Sequence, residues 1–251
     1  MLSGTYCMLN FKYFLDIAES TLQYHQELNP VIWKGDDIKP EIKRHLLKIA
    51  EYWRDFANIP QNAVIDVLLT GGNANYNYTE FSDLDVHLLV DKDKIADCDA
   101  DVLDDYLKDK KQLWALNHDI KIYGYEVELY AQDKDEPTST DQGVFSLKNS
   151  KWLNKPKRHK IDLSDGFLKK KIDYFKKIIE FFINSKSDDV QKMKNFKDKL
   201  RDMRSAAVRR GGEFSLENLA FKELRNLGYI DKLSDYITHI EDKDLSLEKG
   251  D

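Results

Sequence analysis

Apolar positions change their period twice along the chain. Residues 10–27 and 40–58 carry apolar and aromatic side chains at helical spacing, as in Ile42, Leu46, Ile49, Trp53 and Phe56, with Pro40 placed where a first turn tolerates proline. From 63 to 132 the runs are short and β-like: 63–69, 84–90 and 119–132, with a helical stretch around 100–115. A turn-rich segment, 132–143, leads to one more apolar piece, Val144 to Leu147. Beyond about 162 the spacing is helical throughout, with a stripe of Phe167, Leu168, Ile172, Phe175, Ile178, Ile179, Phe182 and Ile183. Ser215 is placed to cap a helix over "LENLAFKELRNL", Gly228 to stop it, and the tail after Glu241 to fray. The pattern predicts an α+β fold: a mixed sheet flanked by helices over 1–160, then a helical region over 161–251.

One strand breaks its own pattern. In "SDLDVHLLV" the alternation of a strand puts Leu84, Val86, Leu88 and Val90 on one face and Asp83, Asp85 and His87 on the other. Two carboxylates on one face of a half-buried strand repel each other and are costly to desolvate, unless a cation lies between them. A hard divalent ion such as Mg2+ selects oxygen ligands of this kind. In "YEVELY", Glu126 and Glu128 share a face in the same way. A carboxylate pair plus one further acidic strand residue is the minimum for two metal ions about 4 Å apart, the arrangement used for in-line displacement at phosphorus.

The preceding strand ends at Gly71-Gly72. Glycines there let backbone approach a ligand and offer N–H groups to phosphate oxygens, and a short helix starting within 73–78 would add its dipole. No Gly-Lys-Ser/Thr follows, which excludes a Walker loop, and the third glycine of a dinucleotide fingerprint is missing.

Composition narrows the setting. Of 251 residues, 33% are charged and 41% hydrophobic, with a net charge of -6 that does not mark a nucleic-acid binder. The two cysteines, Cys7 and Cys98, exclude a disulfide framework and fit a reducing compartment. The start has no basic region followed by a long apolar core, and no apolar run approaches the ~18 residues of a membrane span. The expectation is a cytoplasmic protein with no membrane partner.

These residues together resemble a known family. An apolar strand, Gly71-Gly72, ten residues, Asp83-x-Asp85 preceded by Ser82, and a later acidic residue flanked by Val127 and Leu129-Tyr130 are similar to the polymerase-beta-like nucleotidyltransferase superfamily. The resemblance covers about residues 60–132; "GYEVELYAQD" and "KWLNKPK" also look like proteins that tailed bacteriophages encode as predicted nucleotidyltransferases. It implies transfer of a nucleoside monophosphate from a nucleoside triphosphate, ATP or another, to an acceptor hydroxyl with release of pyrophosphate. The implied metal is Mg2+ as two ions, or Mn2+, held by Asp83, Asp85 and Glu128. Gly71, Gly72, Asn73 and Ser82 are implied to hold the nucleotide, and the acceptor is an RNA end, a small molecule or a protein. The chain departs from the family where Asn73, Ala74 and Asn75 replace the basic residue that many members carry after the glycines. A catalytically weak nucleotide-binding regulatory or antitoxin-like module is the alternative, and a His-poor sequence argues against a metal phosphodiesterase.

Positive charge must then come from outside the β region. Acids dominate 80–110, and lysines and Arg158 dominate 148–177, where a basic wall could face the acidic strand or simply be solvated. Arg201 and Arg204, three apart on one helical face, are the favoured phosphate grip. Plainer readings stand beside the functional ones: Asp66 is structural, Glu126 an exposed strand residue, and His87 a satisfied histidine or a partner of the carboxylates. Tyr76, Tyr78 and Trp152 stack on a base or simply pack.

Overall fold

A computed structural model describes residues 20–137, 141–159 and 161–247 of the chain. The helix expected over 10–19 lies outside these residues. Residues 20–27 are not helical and run as an extended strap.

A hairpin of β1 (Trp33–Lys34) and β2 (Asp37–Ile38) turns at Gly35 and leads into α1 (Pro40–Phe56). A six-stranded sheet follows: β3 (Val64–Thr70), β4 (Leu84–Val90), β5 (Lys121–Ile122), β6 (Tyr125–Asp133), β7 (Val144–Ser146) and β8 (Lys151–Asn154). Its order is β5-β6-β4-β3-β7-β8, with β4 and β6 parallel and the other pairs antiparallel. The parallel pair needs a crossover, and α2 (Ala100–Asn117) provides it. The segment 119–132 is thus not one strand but a hairpin, turned at Tyr123 and Gly124, both at positive φ. β8, with no clear alternation, was not expected.

The period-two pattern of β4 holds. Leu84, Val86, Leu88 and Val90 are buried against α1 and α2, in a core shared with Leu46, Trp53, Leu103 and Leu129. The opposite face is polar. It carries Asp66 and Thr70 of β3, Asp85 and His87 of β4, and Glu128 and Tyr130 of β6, with Thr70 and Glu128 each in register with Asp85.

The remainder is helical: α3 (Gly166–Asn184), α4 (Val190–Gly211), α5 (Leu216–Asn226) and α6 (Tyr229–Leu245). α6 continues through Leu245, past the expected fraying point at Glu241. Ser215 stands at the N-cap of α5, but its hydroxyl makes no capping bond; Gly228, at φ 73, ends that helix as expected. These helices enclose two apolar clusters separate from that of the sheet, and Leu22 of the strap belongs to one of them. The strap ties the halves together. Thr21 bonds to the Glu223 carboxylate of α5, while the His25 ring stacks on Tyr78 at 3.8 Å. Among the described residues no helix is long and apolar enough to cross a membrane.

Candidate active site

Asp85 is the second residue of β4, on the polar face at one end of the β3–β4 ladder, and Asp83 sits one residue before β4 begins. Gly71, at φ +73, lies directly against Asp85: a Cβ built there would fall 1.6 Å from Asp85 Oδ2. Only glycine satisfies both the left-handed backbone and that contact. A Cβ on Gly72 would likewise meet Ser82 Oγ at 2.9 Å. A 3-10 turn, Gly72–Ala74, stands where a helix start was expected.

Asn73 is placed differently from the expectation that it binds nucleotide. It is fully buried, and its amide donates to the Asp83 carbonyl at 2.9 Å and accepts from Asn29 at 2.7 Å. Asn75 spans the other side, donating to the Gly71 carbonyl at 2.7 Å and accepting from the Gly143 N–H at 2.9 Å. The two asparagines that stand in place of a basic residue thus fix the glycine loop over the start of β4. Ser82 accepts from the Thr79 N–H at 2.9 Å and lines the cavity at Asp83.

Among the described residues the Asp85 carboxylate has no hydrogen-bond or ion-pair partner within bonding distance, and neither has the carboxylate of Asp83. Burial pushes the Asp85 carboxyl up to about 7, with Glu128 and Asp83 adding to the shift and Arg225 and Lys222 opposing it. Burial also raises Asp83, against the pull of Arg225. Oxygen ligands only, one a half-buried, unpartnered carboxylate, suit a hard divalent cation. The third expected ligand fits less well: Glu128 is paired with Lys111 of α2. Among the described residues no three His, Cys, Asp or Glu side chains are gathered as a closed metal-ligand set. Glu126, more exposed, pairs with Lys121 at 3.5 Å.

Three cavities meet at Asp83. One of about 110 Å³ lies between Gly71, Gly72, Asp85 and Glu128 on the sheet side and Glu213, Lys222 and Arg225 on the helical side. A second, about 460 Å³, opens past Phe81 and Asp231, and a third, about 260 Å³, past Trp114 and Glu128. The cations that face Asp83 and Asp85 from the helical side are therefore Lys222 and Arg225 of α5. Lys222 bonds Glu213 at 2.7 Å; Arg225 makes no ion pair among the described residues. Burial works against the charge on Glu213, but Lys222, Arg204 and the Asn218 amide outweigh it and hold that carboxyl below the usual range.

No protein-family model matches the chain, and neither a curated protein nor a solved structure is similar enough to count as a match.

The other expected groups lie elsewhere. Arg201 pairs with Asp198 at 3.8 Å on an exposed face, and Arg204 donates to Asn218 at 3.1 Å over the Phe221 ring. Neither lines the cavities at Asp83. The basic wall is not there either: Lys155 bonds Asp36, Arg158 holds Gln26 and covers the Tyr76 ring, and Lys171 bonds Glu217. Trp152 stacks on Trp33 and donates to the Asp36 carbonyl. Tyr78 is taken up by His25. His87 is a satisfied histidine, its Nδ1 2.9 Å from Gln132 Oε1, and burial lowers its pKa. Lys222 and Arg225 have the same i,i+3 spacing as Arg201 and Arg204, so spacing alone did not distinguish the pairs.

Proposed function

We propose that the protein transfers a nucleoside monophosphate from a nucleoside triphosphate to an acceptor hydroxyl, releasing pyrophosphate. The observation that carries this is Asp85: a half-buried, unpartnered carboxylate held under a glycine pair, beside Asp83 and Glu128, with two cations across the cleft. A structural carboxylate at that depth would be expected to have donors.

Asp83 and Asp85 would hold Mg2+, with Glu128 joining when it leaves Lys111. When bound, the ion would neutralise phosphate charge and polarise the α-phosphoryl oxygens. Lys222 and Arg225 grip the phosphates from the helical side, and Arg225 has its donors free to do so. The Gly71-Gly72 backbone admits the phosphate chain closely because no Cβ intervenes. Asn73 and Asn75 keep that loop in place. The acceptor oxygen bonds to the α-phosphorus, the bond to the pyrophosphate oxygen breaks, and the hydroxyl proton passes to solvent. Fixing the reactants is the main contribution of the protein.

The ion pair of Glu128 with Lys111 favours a second reading, a nucleotide-binding regulatory module with little turnover. One assay separates them. Each labelled nucleoside triphosphate is incubated with protein, Mg2+ and in turn RNA, protein and metabolite fractions. Pyrophosphate release that disappears in Asp85→Asn supports transfer. Tight nucleotide binding with no release in any fraction supports the module, and no binding at all removes both.

A further inference from the structure

This inference rests on the transfer reading and concerns the base of the donor. The cavities of about 110 and 460 Å³ share Ser82, Asp83, Arg225 and Asn226, so they are two parts of one depression. The smaller part holds the glycine pair and both cations and suits phosphates. The larger is the size of a small-ligand site and lies where a nucleoside attached to those phosphates can extend.

The larger part is rich in acceptors. Glu80 and Asp231 line it, both exposed, and neither has a hydrogen-bond or ion-pair partner among the described residues. Asn226 belongs to the same wall: the Thr21 hydroxyl gives its proton to Glu223 at 2.6 Å and accepts from Asn226 Nδ2 at 3.0 Å, and the Asn226 Oδ1 is covered from solvent. Lys121, a cation of the same wall, is engaged by Asp119 at 3.1 Å and Glu126 at 3.5 Å. Arg225 stands at the phosphate end. Phe81, 43% exposed, offers a ring face on which a base can stack.

A ligand that is anionic at the Arg225 end and rich in N–H donors at the other satisfies all these groups. Among the four common bases, guanine alone presents N1–H and N2–H2 side by side, the pair a carboxylate accepts together. Adenine and cytosine place an acceptor beside their amine, and uracil has a single N–H. We propose that this cavity is the nucleobase site and selects guanine, with Phe81 stacking and Asp231 and Glu80 receiving its donor edge.

The test is titration of non-hydrolysable α,β-methylene analogues of GTP, ATP, CTP and UTP with Mg2+ into the full chain, Asp231→Asn and Phe81→Ala. Both residues are exposed, so the variants should fold. The guanine analogue should bind on the order of tenfold tighter than the others, the scale of a two-bond contact to a base edge. Asp231→Asn should reduce that preference several-fold with the other three analogues unchanged, and Phe81→Ala should weaken all four. Equal affinities in the wild type would overturn guanine selection while leaving the transfer reading intact. A guanine preference unchanged in both variants would overturn the assignment of this cavity. Binding of no analogue would overturn this inference and the transfer reading together.

Discussion

Two carboxylates sit on the polar face of the same antiparallel ladder, at opposite ends. Asp66 of β3 lies at one end, beside Leu89, and Asp85 of β4 at the other, beside Thr70. Asp66 accepts from the Val67 N–H at 2.7 Å, Ser146 Oγ at 3.0 Å and Asn149 Nδ2 at 3.2 Å. Asp85 accepts nothing among the described residues; its neighbours are Gly71, which supplies no side chain, and Asp83 and Glu128, which repel it. Thr70, next to it, donates to Gly143 instead. Asp66 is the more buried of the two and Asp85 is half-buried, so burial does not mark the functional acid. The absence of donors does, because folding leaves such a group destabilised unless something else arrives to neutralise it.

Substituting each acid should give opposite signs. Asp66→Ala removes a partner and leaves three donors unsatisfied in the sheet, costing about 3 kcal/mol in urea unfolding. Asp85→Asn, in chelator, should stabilise. The folded carboxyl titrates at about 7 and its ordinary value is 3.8. A raised acid contributes stability below its unfolded value and loses it as pH rises through the folded value, here between about 3.8 and about 7. The Asn variant should therefore exceed wild type at pH 8 by about 2 kcal/mol, with a smaller gap at pH 5. Destabilisation of both variants at pH 8 would erase the contrast and make Asp85 a structural residue.

The glycine cradle sharpens the same contrast. Gly71→Ala forces an L residue to φ +73 and drives its Cβ into the Asp85 carboxylate, a combined cost of about 2 kcal/mol. Repeating it in an Asp85→Ala background removes the carboxylate and should recover part of that cost. A double-mutant cycle with no coupling would mean that Gly71 serves its turn alone.

How much of this was legible depends on the range of the signal. The Asp83-x-Asp85 pair could be read because strand alternation is local, and the buried series Leu84, Val86, Leu88 and Val90 follows it. The helices over 40–56 and 100–117 follow equally local periodicity. Asp66 is structural, as expected, but pattern could not name its donors, since Ser146 and Asn149 lie far along the chain. The same limit misplaced the cations. Lys222 and Arg225 belong to an ordinary amphipathic helix, and the packing of α5 against α3, α4 and the strap, including the Glu223–Thr21 bonds, orients it toward the sheet. Asn73 looked like a ligand-facing loop residue because its partners, Asn29 and the Asp83 carbonyl, are apart from it in sequence. Trp152 and Tyr78 were available to a base on sequence grounds, but long-range contacts with Trp33 and His25 occupy them.

The smallest effect should come from the cation that faces Asp85. Arg225 lowers the pKa of both Asp83 and Asp85, opposing their burial. Arg225→Ala should shift the folded Asp85 transition upward, so that the metal-free protein goes on losing stability to a higher pH than wild type, from the same onset. The same variant should bind a Mg2+-triphosphate about tenfold more weakly, or about 1.4 kcal/mol. Arg201→Ala is the matched control: its guanidinium pairs with Asp198 on an exposed face and lines none of the cavities at Asp83, so both readouts should stay at wild type. Paired pH titration and nucleotide titration separate the outcomes. A shifted transition with unchanged affinity would leave Arg225 as a local counter-charge and move the phosphate grip to Lys222. Weakened binding in Arg201→Ala would instead mean that the triphosphate reaches α4, and that the cleft between sheet and helices closes further around its ligand than the cavity at Asp85 indicates.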